Sequence, residues 1–128
     1  MAETGMKPKM TWEHAPETLV QTFMGAVQFL PGIQVRKMFG YPCAFYQGQM
    51  FTGLHQSHMF LRLSDADRAE FMQISGATFF EPMPGRPMRD YMVIPAPVIE
   101  KAELLDSWLE RSLSYAASLP PKVPRKQR

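Results

Sequence analysis

Seventeen consecutive residues, "VRKMFGYPCAFYQGQMF" from 35 to 51, carry two adjacent cations, two glycines, a proline and the chain's one cysteine. Cys43 has the chemistry of a nucleophile. Yet neither a Ser/His/Asp nor a Cys/His arrangement surrounds it, and a cysteine in an apolar strand is usually a small buried hydrophobe. His55 and His58 stand three apart, which brings two imidazoles together on a helix but not in the turn between strands that "HQSH" suggests. Solvated turn histidines are expected there, and no metal site. The acids gather in "EKAELLDSWLER", where Glu100, Glu103, Asp106 and Glu110 alternate with apolar residues as on a solvated helix face, without forming an acid/base pair. These patterns point to no catalytic residue and no cofactor.

The basic residues offer more. No acid occurs between Pro31 and Leu63, while Arg36, Lys37 and Arg62 do, and Arg86 and Arg89 follow in a proline-rich stretch. Brought together by neighbouring strands, these five would attract a phosphate, a carboxylate or a nucleic-acid backbone. Kept apart, each would lay its stem over the sheet and pair with an acid such as Glu81 or Asp90. Arg36 and Lys37, adjacent on a strand, must point to opposite faces, so at most one joins a given patch. Aromatic residues among them, from Phe39 to Phe60, have the stacking faces of a single-strand binder, but no nucleic-acid motif accompanies them.

The elements that must position these groups fit one domain. A length of 128 residues suffices to bury a core without a metal or disulfide staple. The 45% hydrophobic and 20% charged composition is that of a globular protein, and no apolar run is long enough to span a bilayer. With no secretory leader pattern and a lone cysteine, a cytoplasmic setting is expected. Net charge is +2, but Lys122, Arg125, Lys126 and Arg128 all lie in the last ten residues, so residues 1–118 stand at −2. The pI near 8.8 is therefore a property of the tail. Eleven methionines suit either a plastic core or an adaptable binding face.

Residues 1–15 show no period and are expected to be a loose lead-in. Leu19, Val20, Phe23, Met24, Val27 and Leu30 then follow helical spacing, from Pro16 to the stop at Pro31-Gly32. From Ile33 to Leu63, short aromatic and branched runs broken at Gly40-Tyr41-Pro42, Gln47-Gly48 and His55-Gln56-Ser57 predict an antiparallel meander. Ser64 and Asp67 open a second helix, about 65–74, with a variant capping box. A short strand at 77–80, a loop at 82–87 and a strand at 90–94 come next. A helix over 97–118 follows, with Ala102, Leu105, Trp108, Leu109, Ser112, Leu113 and Ala116 as its stripe. The single domain is thus 16–118, and 119–128 should be a disordered basic tail. Connections this short favour antiparallel pairing, giving an α+β, two-layer fold of order α-β(3-4)-α-β(2)-α.

The stretch from Arg36 to Gly40, Gly48 with Met50-Phe51, Leu61-Arg62-Leu63, and "PMPGRPM" at 82–88 before Tyr91 together resemble the TfoX N-terminal domain family. The resemblance extends from about residue 17 to 121. It implies a two-layer α+β domain similar to secretion-chaperone-like proteins, here standing without the C-terminal helical domain that competence regulators also carry. It implies no catalytic residues. Family members named for competence regulation act with the cyclic-AMP receptor protein as transcriptional coactivators. The leading expectation is accordingly a non-enzymatic interaction module with a protein partner, acting as an accessory in transcriptional regulation through the exposed part of its sheet. An anion or small-molecule binding protein, even an enzyme, built on Arg36, Lys37, Arg62, Arg86 and Arg89 is the alternative. Direct nucleic-acid binding through the tail and the body cations and a homodimer formed at a sheet edge complete the set; no membrane partner is expected.

Overall fold

The computed structural model describes residues 14–122. Its elements are α1 (Glu17–Val27), β1 (Ile33–Met38), β2 (Tyr41–Tyr46), β3 (Gln49–His55), β4 (His58–Arg62), α2 (Asp65–Phe71), β5 (Thr78–Met83), β6 (Arg86–Val93), α3 (Ala96–Ile99) and α4 (Ala102–Ser118). The six strands form one antiparallel sheet in the order β1-β2-β3-β4-β6-β5. This is the expected α+β arrangement of a meander, a helix, a hairpin and a terminal helical segment. Among the described residues no helix is long and apolar enough to cross a membrane.

Local chemistry accounts for the boundaries. Two-residue connections join β1 to β2 through Phe39-Gly40 and β2 to β3 through Gln47-Gly48, with positive φ at all four positions. Mirror-image turns of this kind match the right-handed twist of paired strands. Ser64 caps α2, its Oγ accepting from the Asp67 N–H at 3.3 Å. Pro95 precedes α3, where a proline in the first turn forfeits no internal hydrogen bond.

Three differences from the sequence reading have physical causes. The expected helix over 97–118 is two helices, because Lys101 adopts an extended conformation (φ −112°, ψ 103°) and serves as the N-cap of α4. The expected proline loop at 82–87 is instead a hairpin whose two strands meet at Pro84-Gly85. Pro82 is tolerated because β5 is an edge strand, and the register slips between Phe79 and Phe80 and again between Phe80 and Met83. The start of the expected tail is held: the Lys122 N–H donates to the Gln47 carbonyl and Gln49 Nε2 to the Pro120 carbonyl, both at 2.8 Å. A Cβ on Gly48 would stand 1.9 Å from the Lys122 carbonyl oxygen, so that turn needs glycine for the close approach as well as for its φ. Residues 123–128, like 1–13 of the lead-in, lie outside the described residues.

Two cores flank the sheet. The larger joins Phe23 and Val27 of α1, Phe71 of α2, Val98 of α3, and Leu105, Trp108 and Leu109 of α4 to Phe51, Leu54, Met59, Leu61 and Met92 of the sheet. The smaller contains only strand residues: Cys43, Phe45, Phe60, Phe80 and Tyr91. Alternation in β4 and β6 sorts side chains between the two as the sequence predicts, Met59, Leu61 and Leu63 going to the helical side and Phe60 to the other. What alternation alone leaves open is how a face without helices buries its aromatics.

Curling of the sheet supplies the cover. Phe80 lies on β5 and His55 on β3, three strands apart, a separation of about 14 Å in a flat sheet. Their ring centroids are 5.4 Å apart, and Phe80 also stacks on Phe60 at 4.3 Å. The β5–β6 hairpin, bent at its two register slips, therefore folds over the second face. Beneath it Gly53 admits the Cys43 thiol and the Phe60 ring: a Cβ there would lie 2.5 Å from Sγ and 2.8 Å from the ring. Gly53→Ala is expected to destabilise the protein by about 1–3 kcal/mol, the cost of an added methylene in a packed core. Adding Cys43→Ala should recover part of that loss in denaturant titrations, and strict additivity of the two changes would contradict the packing described.

Candidate functional site

The five candidate cations do not form one patch. Arg36 sits on β1 with its guanidinium 4.1 Å over the Phe45 ring, on the curled side. Lys37 pairs in register with Pro42 and points to the other side, and Arg36 and Lys37 both contribute to the lining of a groove against α1. Arg62 is committed within the structure. It donates to Asp90 (3.2 Å) and to Gln49 Oε1 (3.1 Å), and its guanidinium lies between the Tyr91 and Tyr115 rings at 5.5 and 5.6 Å. Asp90 is shared with Arg68 at 3.5 Å. Arg86 and Arg89 are exposed on β6, four strands along the sheet from β1. Glu81 accepts from the Gly85 N–H and so closes the β5–β6 turn.

Cys43 and the histidines are placed by packing. Cys43 is 2% exposed, and burial pushes its thiol up from 9.0 to about 11, partly offset by a hydrogen bond from the Leu54 backbone. His55 packs between the Tyr41 and Phe80 rings, and it pairs with His58 across the β3–β4 turn. Among the described residues no group of three or more His, Cys, Asp or Glu side chains is placed to hold a metal ion. Tyr91, whose phenol burial also pushes up, donates to the Met50 carbonyl at 2.8 Å.

Outward-facing groups include a continuous run along β1. The sheet has two edges, and they differ. β5 carries Pro82 and two register slips, devices that blunt an edge. β1 pairs with β2 through six residues in unbroken register, contains no proline, and is exposed from Gln34 to Met38. Its outer row of backbone N–H and C=O groups makes no backbone hydrogen bond to another described segment. Beside it a groove of about 450 Å³ runs between β1 and α1, with Val20, Met24 and Val35 as apolar walls. At its end stands Phe39, 84% exposed and held at φ 54°. A bulky aromatic in the left-handed region costs about 1–2 kcal/mol, which asparagine avoids. Sequence reasoning picked out Arg36 and Lys37 here but treated Phe39 as a stacking or core aromatic. The available signal was "FG" at a two-residue turn, where "NG" is the favourable pair.

A six-stranded antiparallel sheet with helices against one face defines a two-layer α+β domain, with an edge strand and no metal-ligating cluster among its described residues. The profile of the TfoX N-terminal domain family matches residues 26–116, and the chain belongs to that family. No curated protein matches it.

Two measurements check this geometry. Phe39→Asn should raise stability by about 0.5–1 kcal/mol, because the turn no longer strains an aromatic. A fall in the denaturation midpoint would show that Phe39 packs in the fold. Cys43 should be inert to thiol reagents in the native protein at neutral pH and reactive once unfolded. With its folded pKa above the unfolded one, its contribution to stability is whole below pH 9.0 and is lost as pH rises toward about 11. The wild type should therefore lose stability relative to Cys43→Ala across that window; a constant difference would contradict the burial.

Proposed function

We propose that this chain is a non-enzymatic interaction module that receives an extended segment of a protein partner along β1, and that it serves as an accessory in transcriptional regulation. The observation that carries the reading is the contrast between the two sheet edges: β5 is blunted by Pro82 and its register slips, and β1 is regular and exposed. An added strand gains main-chain hydrogen bonds from such an edge and specificity from side-chain pockets beside it. Here Val35, Met24 and Phe39 provide the apolar contacts, and Arg36 and Lys37 provide positive charge on the two faces of the strand. That charge opposes pairing with a second copy in antiparallel register and favours a segment bearing Asp or Glu. The regulatory part of the reading rests on family membership, since competence regulators carry the same domain.

The test is recovery of partners from native cells on the immobilised full chain, with Phe39→Asn and the double change Arg36→Glu/Lys37→Glu run beside it. Transcription components should be retained by the wild type and lost from both variants, while circular dichroism reports the same fold. A retained set without transcription components would end the regulatory reading. Retention that neither variant alters would end the assignment to β1.

A further inference from the structure

The other side of α1 presents a second surface of different character. Between α1 and α4 lies a groove of about 550 Å³. We propose that it docks an amphipathic helix of a protein partner, one whose apolar stripe is flanked by lysine and arginine.

The shape of the groove selects a helix. The walls are α1 with the turn after it and α3 with the start of α4, so no sheet edge is available for an added strand and sequence recognition must come from side chains. The floor is apolar, made by Ala26 and Leu30 from one wall and Ile99 and Leu105 from the other. Phe29 stands at the rim, 84% exposed and so available to cover an incoming side chain. On α1 the lining runs from Gln21 to Ala26, a rise of about 7.5 Å or one and a half helical turns, and Phe29 and Leu30 of the turn that follows extend it. Within it Gly25 leaves open space: a Cβ there would meet nothing within 4 Å. Gly25 is also the costliest residue for an exposed helix interior short of proline, by about 1 kcal/mol against alanine. An opening at that point lets a second helix approach closely, as small residues do at helix crossings.

Charge selects the partner's composition. Glu100, Asp106 and Glu110 line the groove, and among the described residues no Lys, Arg or His does. None of the three takes part in an ion pair among the described residues, whereas the nearby Arg111 is occupied by Asp67 (3.3 Å) and Glu70 (2.9 Å). Asp106 and Glu110 are four residues apart on α4 and so lie on one face, one turn apart. A partner helix with cations at the same spacing would meet both. The acidic groove and the cationic β1 edge thus call for partners of opposite sign, and the two proposals stand or fall separately.

The experiment uses the full chain and two labelled peptides of about 18 residues, followed by fluorescence polarisation at low salt. Both carry a Leu/Ala stripe at helical spacing; one has lysines flanking it at four-residue intervals, the other glutamates. The lysine peptide should bind about tenfold more tightly, and added salt should weaken it. Asp106→Asn/Glu110→Gln should remove most of the preference. Gly25→Leu should weaken the lysine peptide about tenfold by filling the groove, with a thermal midpoint equal to or above the wild type's because leucine is the better helix former. Equal affinity for the two peptides, no binding of the lysine peptide, or binding that Gly25→Leu leaves unchanged would each overturn the proposal. A wild-type dimer in sedimentation that Gly25→Leu dissolves would overturn it in favour of a second copy of this chain.

Discussion

The hydroxyl of Ser112 fixes how the two layers meet. It is fully buried on α4 and lies 2.8 Å from the Phe51 carbonyl and 2.6 Å from the Arg62 carbonyl. The register of β2 against β3 slips there: Ala44 pairs with Thr52 and Phe45 with Met50, which leaves Phe51 without a partner in register. An extra residue of this kind disrupts the β2–β3 ladder locally. Ser112, with a single hydroxyl proton, donates from the opposite layer to one of these two carbonyls at a time. The longest helix is thereby seated across the middle strands, with Leu105, Trp108 and Leu109 over the sheet.

Once α4, α1 and α2 occupy one face, the second face must cover itself. It does so with a short aromatic series, Phe60 against Phe80 and Tyr91, and His55 between Phe80 and Tyr41. Offset stacks and edge contacts of this kind add about 0.5–1.5 kcal/mol each beyond their buried area. The reach of Phe80 toward β3 requires a curled sheet, and the register slips on β5 permit the curl. The same slips blunt that edge. Construction of the second core therefore leaves β1 as the regular, exposed edge, and it removes the helix-free face as a flat binding surface.

The charges follow the same logic. Arg62 sits where the sheet, the α2 region and α4 converge, so it is drawn into pairs with Asp90 and Gln49 and between two tyrosine rings. Gln49 in turn holds Pro120, so the end of the described chain is tied to the same cluster. Arg36 covers Phe45 and closes one margin of the second core. Cations that the sequence left either gathered or apart are thus divided between structural duties and exposed surfaces.

Period and punctuation made much of this legible in advance. The helical stripe of α1, the alternation of Met59, Leu61 and Leu63, the Ser64 cap and the two-residue turns are local patterns, set by backbone geometry within a few residues, and they determined the α+β class and the order of elements. Adjacent Arg36 and Lys37 had to diverge for the same reason. The break at Lys101, the extension of β5 and β6 through Pro82 and Pro87, and the binding of residues 119–122 to the β2–β3 turn depend on partners remote in sequence. So do the placement of Phe39 at an open edge and the groove over Gly25, because exposure belongs to the assembled molecule. Sequence alone determined which residues share a face of each strand or helix. Which faces meet, which edge stays open and which charges find partners were decided only by tertiary packing, since those energies arise between segments brought together by folding.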